Sequence, residues 1–154
     1  AIAVGLYLNV DKNEINKALT GYNPSNNRSQ VKVTQNNTII VDCYNANPSS
    51  MLSALESFKE IENGNKVAIL GDMLELGNIS QLEHQKTVDY LKEHTLKAYL
   101  VGPEFEKTNT NNAIFATTEE LISYLDSNSL SNSLILLKGS RGIQLEKVLE
   151  MKNI

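Results

Sequence analysis

Three charged residues each come just after an apolar run that is typical of a buried strand, and these residues are Asp42, Asp72 and Lys138. The carboxyl ends of parallel strands meet at one edge of an open α/β sheet, and ligands bind outside that edge. A carboxylate accepts hydrogen bonds from hydroxyl or ammonium groups, and a lysine pairs with anions. Three such strand ends therefore indicate a site for a polar ligand, although each residue alone is also compatible with an ordinary loop position or a helix cap.

The segment that follows Asp42 joins its strand to a helix through a short polar turn. The apolar spacing of residues 51–61 predicts that helix. Asn47 is expected to cap it and Pro48 to occupy its first position, where the missing N–H costs nothing. Free N–H groups and the helix dipole at such a start favour anions. Asn45 is open to two roles, holding the turn or contacting a ligand, whereas capping is the safer interpretation for Asn47.

Composition limits the class of protein. The 154 residues fit one domain of ordinary size, and the net charge of −4 argues against nucleic acid or a membrane surface as a partner. Cys43 is the lone cysteine, so no intrachain disulfide can form. No apolar run approaches the roughly 20 residues of a membrane-spanning helix. We therefore expect a cytoplasmic protein without nucleic-acid or membrane partners, and since the chain does not begin with Met we expect a part of a longer protein.

Several well-known site motifs are missing from the sequence. It has no Gly-x-x-x-x-Gly-Lys-Ser/Thr phosphate loop and no Gly-x-Gly-x-x-Gly after a strand, which argues against a usual dinucleotide site. One cysteine and two histidines do not give zinc spacing, and we predict no metal site. His84 shares a helical face with Val88 and Leu91 and is interpreted as a partly buried packing histidine rather than a ligand. Cys43 is interpreted as a small buried hydrophobe.

Short apolar strands alternate with helical patterns along the chain. This order predicts an α/β fold of the Rossmann-like, doubly wound class, with a mostly parallel sheet, helices on both faces and a short N-terminal hairpin. The hairpin is expected to turn at Asn36-Asn37, a pair that tolerates positive φ. A last helix is predicted from Arg141 to the end of the chain.

Polar residues predict where three other helices begin. Asp11 is expected to cap an early helix, and two pairs have the spacing of a capping box, Ser80 with Glu83 and Thr117 with Glu120.

Three segments together resemble one known family. Residues 42–51 read Asp-Cys-Tyr-Asn-Ala-Asn-Pro-Ser-Ser-Met, residues 68–77 read Ala-Ile-Leu-Gly-Asp-Met-Leu-Glu-Leu-Gly, and residues 138–141 read Lys-Gly-Ser-Arg. In this order they resemble the C-terminal domain of the Mur ligases, and the first two are typical of the branch that adds D-alanyl-D-alanine. The resemblance spans nearly the whole chain, and residues 1–21 resemble the end of the family's central domain.

The resemblance implies a three-domain, ATP-dependent amide ligase of peptidoglycan precursor synthesis. The first domain of such an enzyme holds the UDP-sugar, the central one carries the phosphate loop and the magnesium ligands, and the third closes over the nucleotide and binds D-alanyl-D-alanine. ATP phosphorylates the carboxyl group of UDP-N-acetylmuramoyl-tripeptide, and the dipeptide amine attacks the acyl phosphate. We expect residues 1–24 to be the helical tail of the central domain with a linker, and residues 25–154 to be the C-terminal domain, without catalytic residues of its own.

The resemblance also implies a set of residues for ATP. Arg28 matches the family's interdomain arginine, whose fixed cation can neutralise nucleotide phosphates. From the sequence alone it is equally compatible with a solvated linker charge. Asp42 matches the acid near the nucleotide ribose, and Asn45 and Asn47 complete the predicted set. The main ligands of ATP and Mg²⁺ are expected in the central domain.

A second set of residues is expected to bind the dipeptide. Asp72 is expected to meet its amine, whereas Lys138 and Arg141 are expected to pair with its carboxylate or with phosphate. A function of a different class stays open beside the ligase, a stand-alone Rossmann-like nucleotide-binding or interaction module without catalysis. A phosphate loop upstream in the same reading frame would favour the ligase.

Overall fold

The computed structural model describes residues 1–22, 27–62 and 64–154. Its helices are α1 (Ile2–Tyr7), α2 (Lys12–Thr20), α3 (Pro48–Glu60), α4 (Ser80–Glu93) and α5 (Thr118–Ser127). Its strands are β1 (Gln30–Val33), β2 (Asn37–Asp42), β3 (Lys66–Gly71), β4 (Lys97–Val101), β5 (Ala113–Phe115) and β6 (Ser133–Lys138). Short 3₁₀ segments cover Gly77–Ile79, Phe105–Lys107, Arg141–Ile143 and Leu145–Glu150.

The strands form one six-stranded sheet with the order β1-β2-β6-β3-β4-β5. β1 runs antiparallel to β2, whereas all other neighbouring strands run parallel. The central strands are continuous apolar runs because both of their faces are covered, and every residue of β6 is buried. The mostly parallel sheet and its N-terminal hairpin confirm the predicted Rossmann-like α/β class.

Helices cover both faces of the sheet, as predicted. On one face α3 and α4 contribute the buried side chains Met51, Leu55, Phe58, Val88 and Leu91. On the other face α5 and the last 3₁₀ segment pack against the sheet. The two apolar layers fix the strands, and the strands in turn fix the loops at their carboxyl ends.

Side chains cap the starts of α3 and α5. Asn47 accepts a hydrogen bond from the N–H of Ser50 at 2.9 Å, and the Ser50 hydroxyl accepts one from the N–H of Asn47 at 3.1 Å. Thr117 accepts from the N–H of Glu120 at 3.2 Å, but the Glu120 carboxylate accepts from the N–H of Ala116. Both predicted caps are confirmed, whereas the return bond to Thr117 is replaced by one to its neighbour.

The predicted capping box at the start of α4 is wrong. Ile79 is the N-cap residue, and no side chain caps this helix. Ser80 has helical dihedral angles, φ −52° and ψ −55°, because a 3₁₀ turn leads directly into α4. An N-cap needs a non-helical backbone, so Ser80 cannot take that role. Its hydroxyl donates to Oε2 of Glu104 at 2.7 Å instead.

The hairpin between β1 and β2 has the predicted position but another turn geometry. Neither Asn36 nor Asn37 has a positive φ. The hydroxyl of Thr34 accepts from the N–H groups of both asparagines, at 3.3 and 2.9 Å. The buried Asn37 side chain donates to the carbonyl of Leu130 at 2.9 Å. A side-chain hydrogen bond therefore closes the turn in place of positive-φ residues.

The predicted last helix is also wrong. Two 3₁₀ segments, Arg141–Ile143 and Leu145–Glu150, take its place. Gln144 lies between them in the left-handed conformation with φ 58°, which interrupts any helical path. The break lets Leu145 and Val148 become buried against the sheet.

The N-terminal helices α1 and α2 bury no residue. Asp11 caps α2 as predicted, because its carboxylate accepts from the N–H of Asn13 at 2.8 Å. Their exposed large apolar side chains are Ile2, Val4, Leu6, Tyr7, Leu8, Val10 and Leu19. The predicted domain boundary, after Pro24, lies outside the described residues and stays a prediction.

Candidate functional site

Asp42 and Lys138 lie side by side at the carboxyl edge of the sheet. They are register partners in β2 and β6, and Nζ of Lys138 donates to Oδ2 of Asp42 at 2.6 Å. Oδ1 of Asp42 accepts from the N–H of Ser29 at 3.1 Å. The side chain of Lys138 is 1% exposed and that of Asp42 is 22% exposed. The charge of Lys138 is therefore paired within the protein, and only Asp42 offers a polar group of this pair to solvent.

Two guanidinium groups flank the ring of Tyr44 just beyond β2. Cζ of Arg28 lies 3.9 Å from the ring centroid, and Cζ of Arg141 lies 6.0 Å from it. All three side chains are exposed, and both distances are within the range of cation–π attraction. The residues that line the adjoining pocket of about 360 Å³ are Asn27, Cys43, Tyr44, Arg141 and Glu146. The two positive charges beside the Tyr44 ring favour an anionic ligand there.

The two predicted asparagines both hold the loop between β2 and α3. Oδ1 of Asn45 accepts from the N–H of Ala46 at 2.9 Å, and Asn47 caps α3. Both side chains are exposed at the same edge as Tyr44. In the structure each of these side chains therefore stabilises the turn, at the same edge of the sheet as Arg28 and Arg141.

Asp72 is buried, and its carboxylate faces the interior. Oδ2 accepts from the N–H of Glu104 at 2.8 Å, and Oδ1 accepts from the N–H of Phe105 at 3.0 Å. Burial raises the pKa of Asp72 above its ordinary value, while these two N–H groups oppose that rise. The expectation that Asp72 meets a dipeptide amine stays a prediction, and in this structure its oxygens are directed at the loop after β4.

The backbone of Asp72 also connects three strand ends. Its N–H donates to the carbonyl of Val101 at 3.0 Å, and its carbonyl accepts from the N–H of Ser140 at 3.1 Å. The hydroxyl of Ser140 accepts from the N–H of Leu74 at 2.9 Å. The loops after β3, β4 and β6 are thus tied together, which fixes the segment that carries Arg141.

His84 completes this network from α4. Nε2 accepts from the N–H of Met73 at 3.0 Å, and Nδ1 lies 2.7 Å from the carbonyl oxygen of Ser80. Because that oxygen can only accept, Nδ1 carries the proton. The ring edge contacts Phe105 with the centroids 4.7 Å apart. His84 is a packing residue as predicted, and its burial is complete rather than partial.

The structure separates the predicted site residues into two groups. Arg28, Asp42 and Arg141 have exposed or partly exposed side chains at the outer edge. Asp72 and Lys138 are buried and serve contacts within the protein. Convergence at one sheet edge was predictable from the strand ends, but the direction of each side chain was not.

Two pocket residues were missed from the sequence. Tyr44 had a signal, an aromatic side chain in the turn directly after Asp42, where an exposed ring can bind cations or ligands. Glu146 had none, because its place in the pocket depends on the break at Gln144.

The described residues hold neither a metal-binding cluster nor a membrane-spanning helix. In residues 1–22, 27–62 and 64–154, no group of three or more His, Cys, Asp or Glu side chains is arranged to hold a metal ion. Over the same residues, no helix has the length and apolar character needed to cross a bilayer.

A family comparison matches the larger part of the chain. The model of the Mur ligase glutamate ligase domain matches residues 27–141, a range that contains every predicted site residue. The chain belongs to the Mur ligase family. This confirms the resemblance carried by the three motifs and the α/β fold.

Two curated relatives of this chain are named as ligases that add D-alanyl-D-alanine. A UDP-N-acetylmuramoyl-tripeptide–D-alanyl-D-alanine ligase of Rickettsia prowazekii is 38% identical over 130 residues, which cover 80% of this chain and 29% of the relative. The ligase of the same name from Bacillus subtilis is 30% identical over 164 residues, covering 97% of this chain and 35% of the relative. The chain spans about a third of the length of these relatives.

Solved Mur ligases have the same fold over nearly the whole chain. The MurF ligase of Thermotoga maritima, solved in complex with ADP, matches with a TM-score of 0.79 and 25% identity over 97% of this chain and 35% of that one. MurF from Acinetobacter baumannii matches with a TM-score of 0.79 and 30% identity over 97% and 34%.

Proposed function

We propose that this chain is the C-terminal domain of an ADP-forming ligase that joins D-alanyl-D-alanine to UDP-N-acetylmuramoyl-tripeptide in the cytoplasm. The observation that carries the proposal is the cluster of Arg28, Tyr44 and Arg141 at the carboxyl edge of the sheet. Its two cations suit a reaction in which ATP transfers a phosphoryl group to a carboxylate and leaves ADP and an acyl phosphate, because all of these groups carry negative charge. The function of the named relatives supports the same assignment.

The nucleotide is the first ligand that these residues suit. Arg28 neutralises phosphate charge across the interdomain cleft, and its contact with Tyr44 orients its guanidinium. Asp42 accepts hydrogen bonds from ribose hydroxyls through its partly exposed carboxylate, while buried Lys138 compensates its charge. Asn45 and Asn47 hold the adjoining loop. Mg²⁺ and the triphosphate are held by the central domain, so this domain contributes binding and charge but no catalytic residue.

The dipeptide is the second ligand. Arg141 pairs with its terminal carboxylate, because a guanidinium offers two parallel N–H groups to a carboxylate. Asp72 and Lys138 do not contact the dipeptide, and they act by positioning the residues that bind the ligands. Asp72 ties down the segment of Arg141 through Ser140, and Lys138 fixes Asp42.

A chimera tests this function. It joins the first two domains of the Bacillus subtilis relative to this chain, and the measurement is ADP release with each substrate omitted in turn. We expect ADP only when ATP, the UDP-linked tripeptide and the dipeptide are all present. The 154-residue chain alone is expected to release none, since it carries no phosphate loop. A folded chimera that binds ATP but releases no ADP would contradict the ligase and favour a stand-alone binding module.

Arg141 is tested in the same chimera. Arg141→Ala should lower kcat/KM for the dipeptide by the equivalent of about 1.5–3 kcal/mol, the cost of one charged hydrogen bond. The melting temperature should stay nearly unchanged, because the side chain is exposed. Lys152→Ala, which removes an exposed cation outside the pocket, is the matched control. Unchanged kinetic constants would remove Arg141 from the site.

A further inference from the structure

Glu146 is a charged side chain that no motif predicted, and it lines the pocket beside Tyr44 and Arg141. Its Oε2 atom is shielded from solvent and has no hydrogen-bond partner in the described part of the chain. A buried carboxylate oxygen without a donor is unfavourable, since it has lost water and gained nothing in exchange. The shielded Oε2 cannot itself be reached from the pocket, but Glu146 lines this wall, so a cation held in the pocket would stabilise its negative charge.

The negative charge of Glu146 acts on Cys43, the buried residue that forms the floor of this pocket. Burial, and after it the negative charge of Glu146, raises the pKa of the Cys43 thiol to about 12. Cys43 lines the same pocket and is 2% exposed. Its sulfur is directed at the carbonyl of Leu137, 3.5 Å away. The neutral thiol does not compensate the carboxylate, so that charge stays available to a ligand.

Arg141 and Glu146 are the two charged residues among those that line this pocket. They have opposite signs, and the remaining lining residues are neutral. The pocket of about 360 Å³ is at the small end of the range for ligand sites. An extended dipeptide spans at most about 7 Å and carries an ammonium group at one end and a carboxylate at the other. Its charges are complementary to those of the pocket.

We propose that Glu146 binds the free ammonium group of the incoming dipeptide while Arg141 binds its carboxylate, so that this pocket selects an unblocked dipeptide. This inference rests on the proposed ligase function and goes beyond it by naming the residue that recognises the amine. Glu146 thus takes the role that the sequence had suggested for Asp72. The role is one of recognition: Glu146 holds the ammonium by its negative charge before the reaction, and Tyr44 lines the same pocket.

The inference is tested by measuring how three dipeptides bind to the 154-residue chain. Binding is monitored through the NMR chemical shifts of the backbone amides. The probes are D-alanyl-D-alanine, its N-acetyl derivative, which lacks the ammonium, and its C-terminal amide, which lacks the carboxylate. The unblocked dipeptide should shift the resonances of Tyr44, Arg141 and Glu146 and bind about tenfold or more tightly than the N-acetyl form, the factor expected for one charged hydrogen bond. Glu146→Gln should abolish that preference and retain the preference over the amide.

Matched variants separate the possible outcomes. Glu150→Gln removes an exposed carboxylate of the same 3₁₀ segment outside the pocket and should bind like the wild type. Arg141→Ala should lose the preference over the amide and retain the preference over the N-acetyl form. A Glu146→Gln chain that still prefers the free amine would overturn the role of Glu146 and leave the ligase proposal intact. Pocket resonances that no dipeptide shifts would also overturn it, and ADP release by the chimera then decides the proposed function separately.

Discussion

At the scale of single residues, the fold strongly changes the chemistry of Cys43. Its thiol is buried, and its pKa is raised from 9.0 to about 12, first by burial and then by the charge of Glu146. Only the thiolate is a nucleophile, so at about pH 8 the reactive fraction falls roughly a thousandfold. We expect the folded chain to resist iodoacetamide at this pH, measured by intact mass.

The control for this prediction is the same chain in denaturant. Cys43 is the only cysteine, so a single alkylation reports it without ambiguity. Unfolded chain should be alkylated within minutes. Equally fast labelling of the folded chain would mean that Cys43 is exposed and that the pocket floor differs from the structure.

The lowered pKa of Glu104 makes the stability of the fold depend on pH. Hydrogen bonds from Lys107 and then from the Ser80 hydroxyl lower the pKa of Glu104 below its ordinary value of 4.5. Because the folded pKa is lower than the unfolded one, the stabilisation is present above the unfolded pKa and is lost as pH falls through the folded pKa. Glu104→Gln should lower the melting temperature at about pH 7, and the difference should shrink as the pH falls below 4.5.

Glu106→Gln is the matched control for the Glu104 prediction. Glu106 lies on the same 3₁₀ segment, is exposed, and forms no ion pair within the described residues. This control should change the melting temperature little at either pH. A Glu104→Gln defect that persists at low pH would assign its effect to packing rather than to charge.

Residue identity alone predicted that these residues meet at one edge of the sheet but not whether their side chains are buried or exposed. The position of Asp42, Asp72 and Lys138 followed from apolar runs that end in polar residues. Their burial could not be predicted, because it depends on partners far away in sequence. Asp72 receives its hydrogen bonds from residues 104 and 105, and Lys138 finds its counterion at position 42.

At the scale of elements, the loop after β4 depends on one glycine. Gly102 has φ +124°, and a Cβ there would lie 2.3 Å from Oδ2 of Asp72. Gly102→Ala therefore adds backbone strain and displaces a buried carboxylate from its two N–H donors. We expect a loss of about 3 kcal/mol, a fall in melting temperature of roughly 6–12 °C.

Gly64→Ala is the matched control for this loop. A Cβ at Gly64 meets nothing within 4 Å, and its φ is not positive. The substitution should change the free energy of unfolding by less than about 0.5 kcal/mol. A Gly102→Ala chain as stable as this control would mean that Asp72 does not lie where the structure has it.

Elements with a strong local signal were predictable, and those defined by contacts were not. The strands and the helices α3, α4 and α5 follow from apolar periodicity, and Asn47 and Thr117 mark two of the starts. The predicted last helix failed because Leu145 and Val148 have helical spacing but reach the core only through the left-handed Gln144. Burial of two side chains outweighed the helical preference of the segment.

At the scale of the whole molecule, the core and the N-terminal helices are built differently. An apolar layer lies on each face of the sheet, and the side chains of both layers are almost entirely buried. The helices α1 and α2 bury no side chain and expose a series of large apolar residues, with Tyr7 84% exposed. Under the proposed function these exposed faces pack on the central domain of the ligase. The sequence predicted both helices, because their spacing and the Asp11 cap are local signals, but what covers them is not encoded locally.

Deletion of residues 1–22 tests this division. Because α1 and α2 contribute nothing to the buried core, the shortened chain should unfold cooperatively with a melting temperature within about 2 °C of the full chain, measured by circular dichroism. The full chain should bind more of a hydrophobic dye than the shortened one, since it exposes more apolar surface. Sedimentation of both chains is the control, because pairing of α1 and α2 between two copies would show as a dimer that the deletion abolishes. A fall of more than about 5 °C without a dimer would mean instead that the two helices pack on the sheet domain, and they would then belong to its fold rather than to a neighbouring domain.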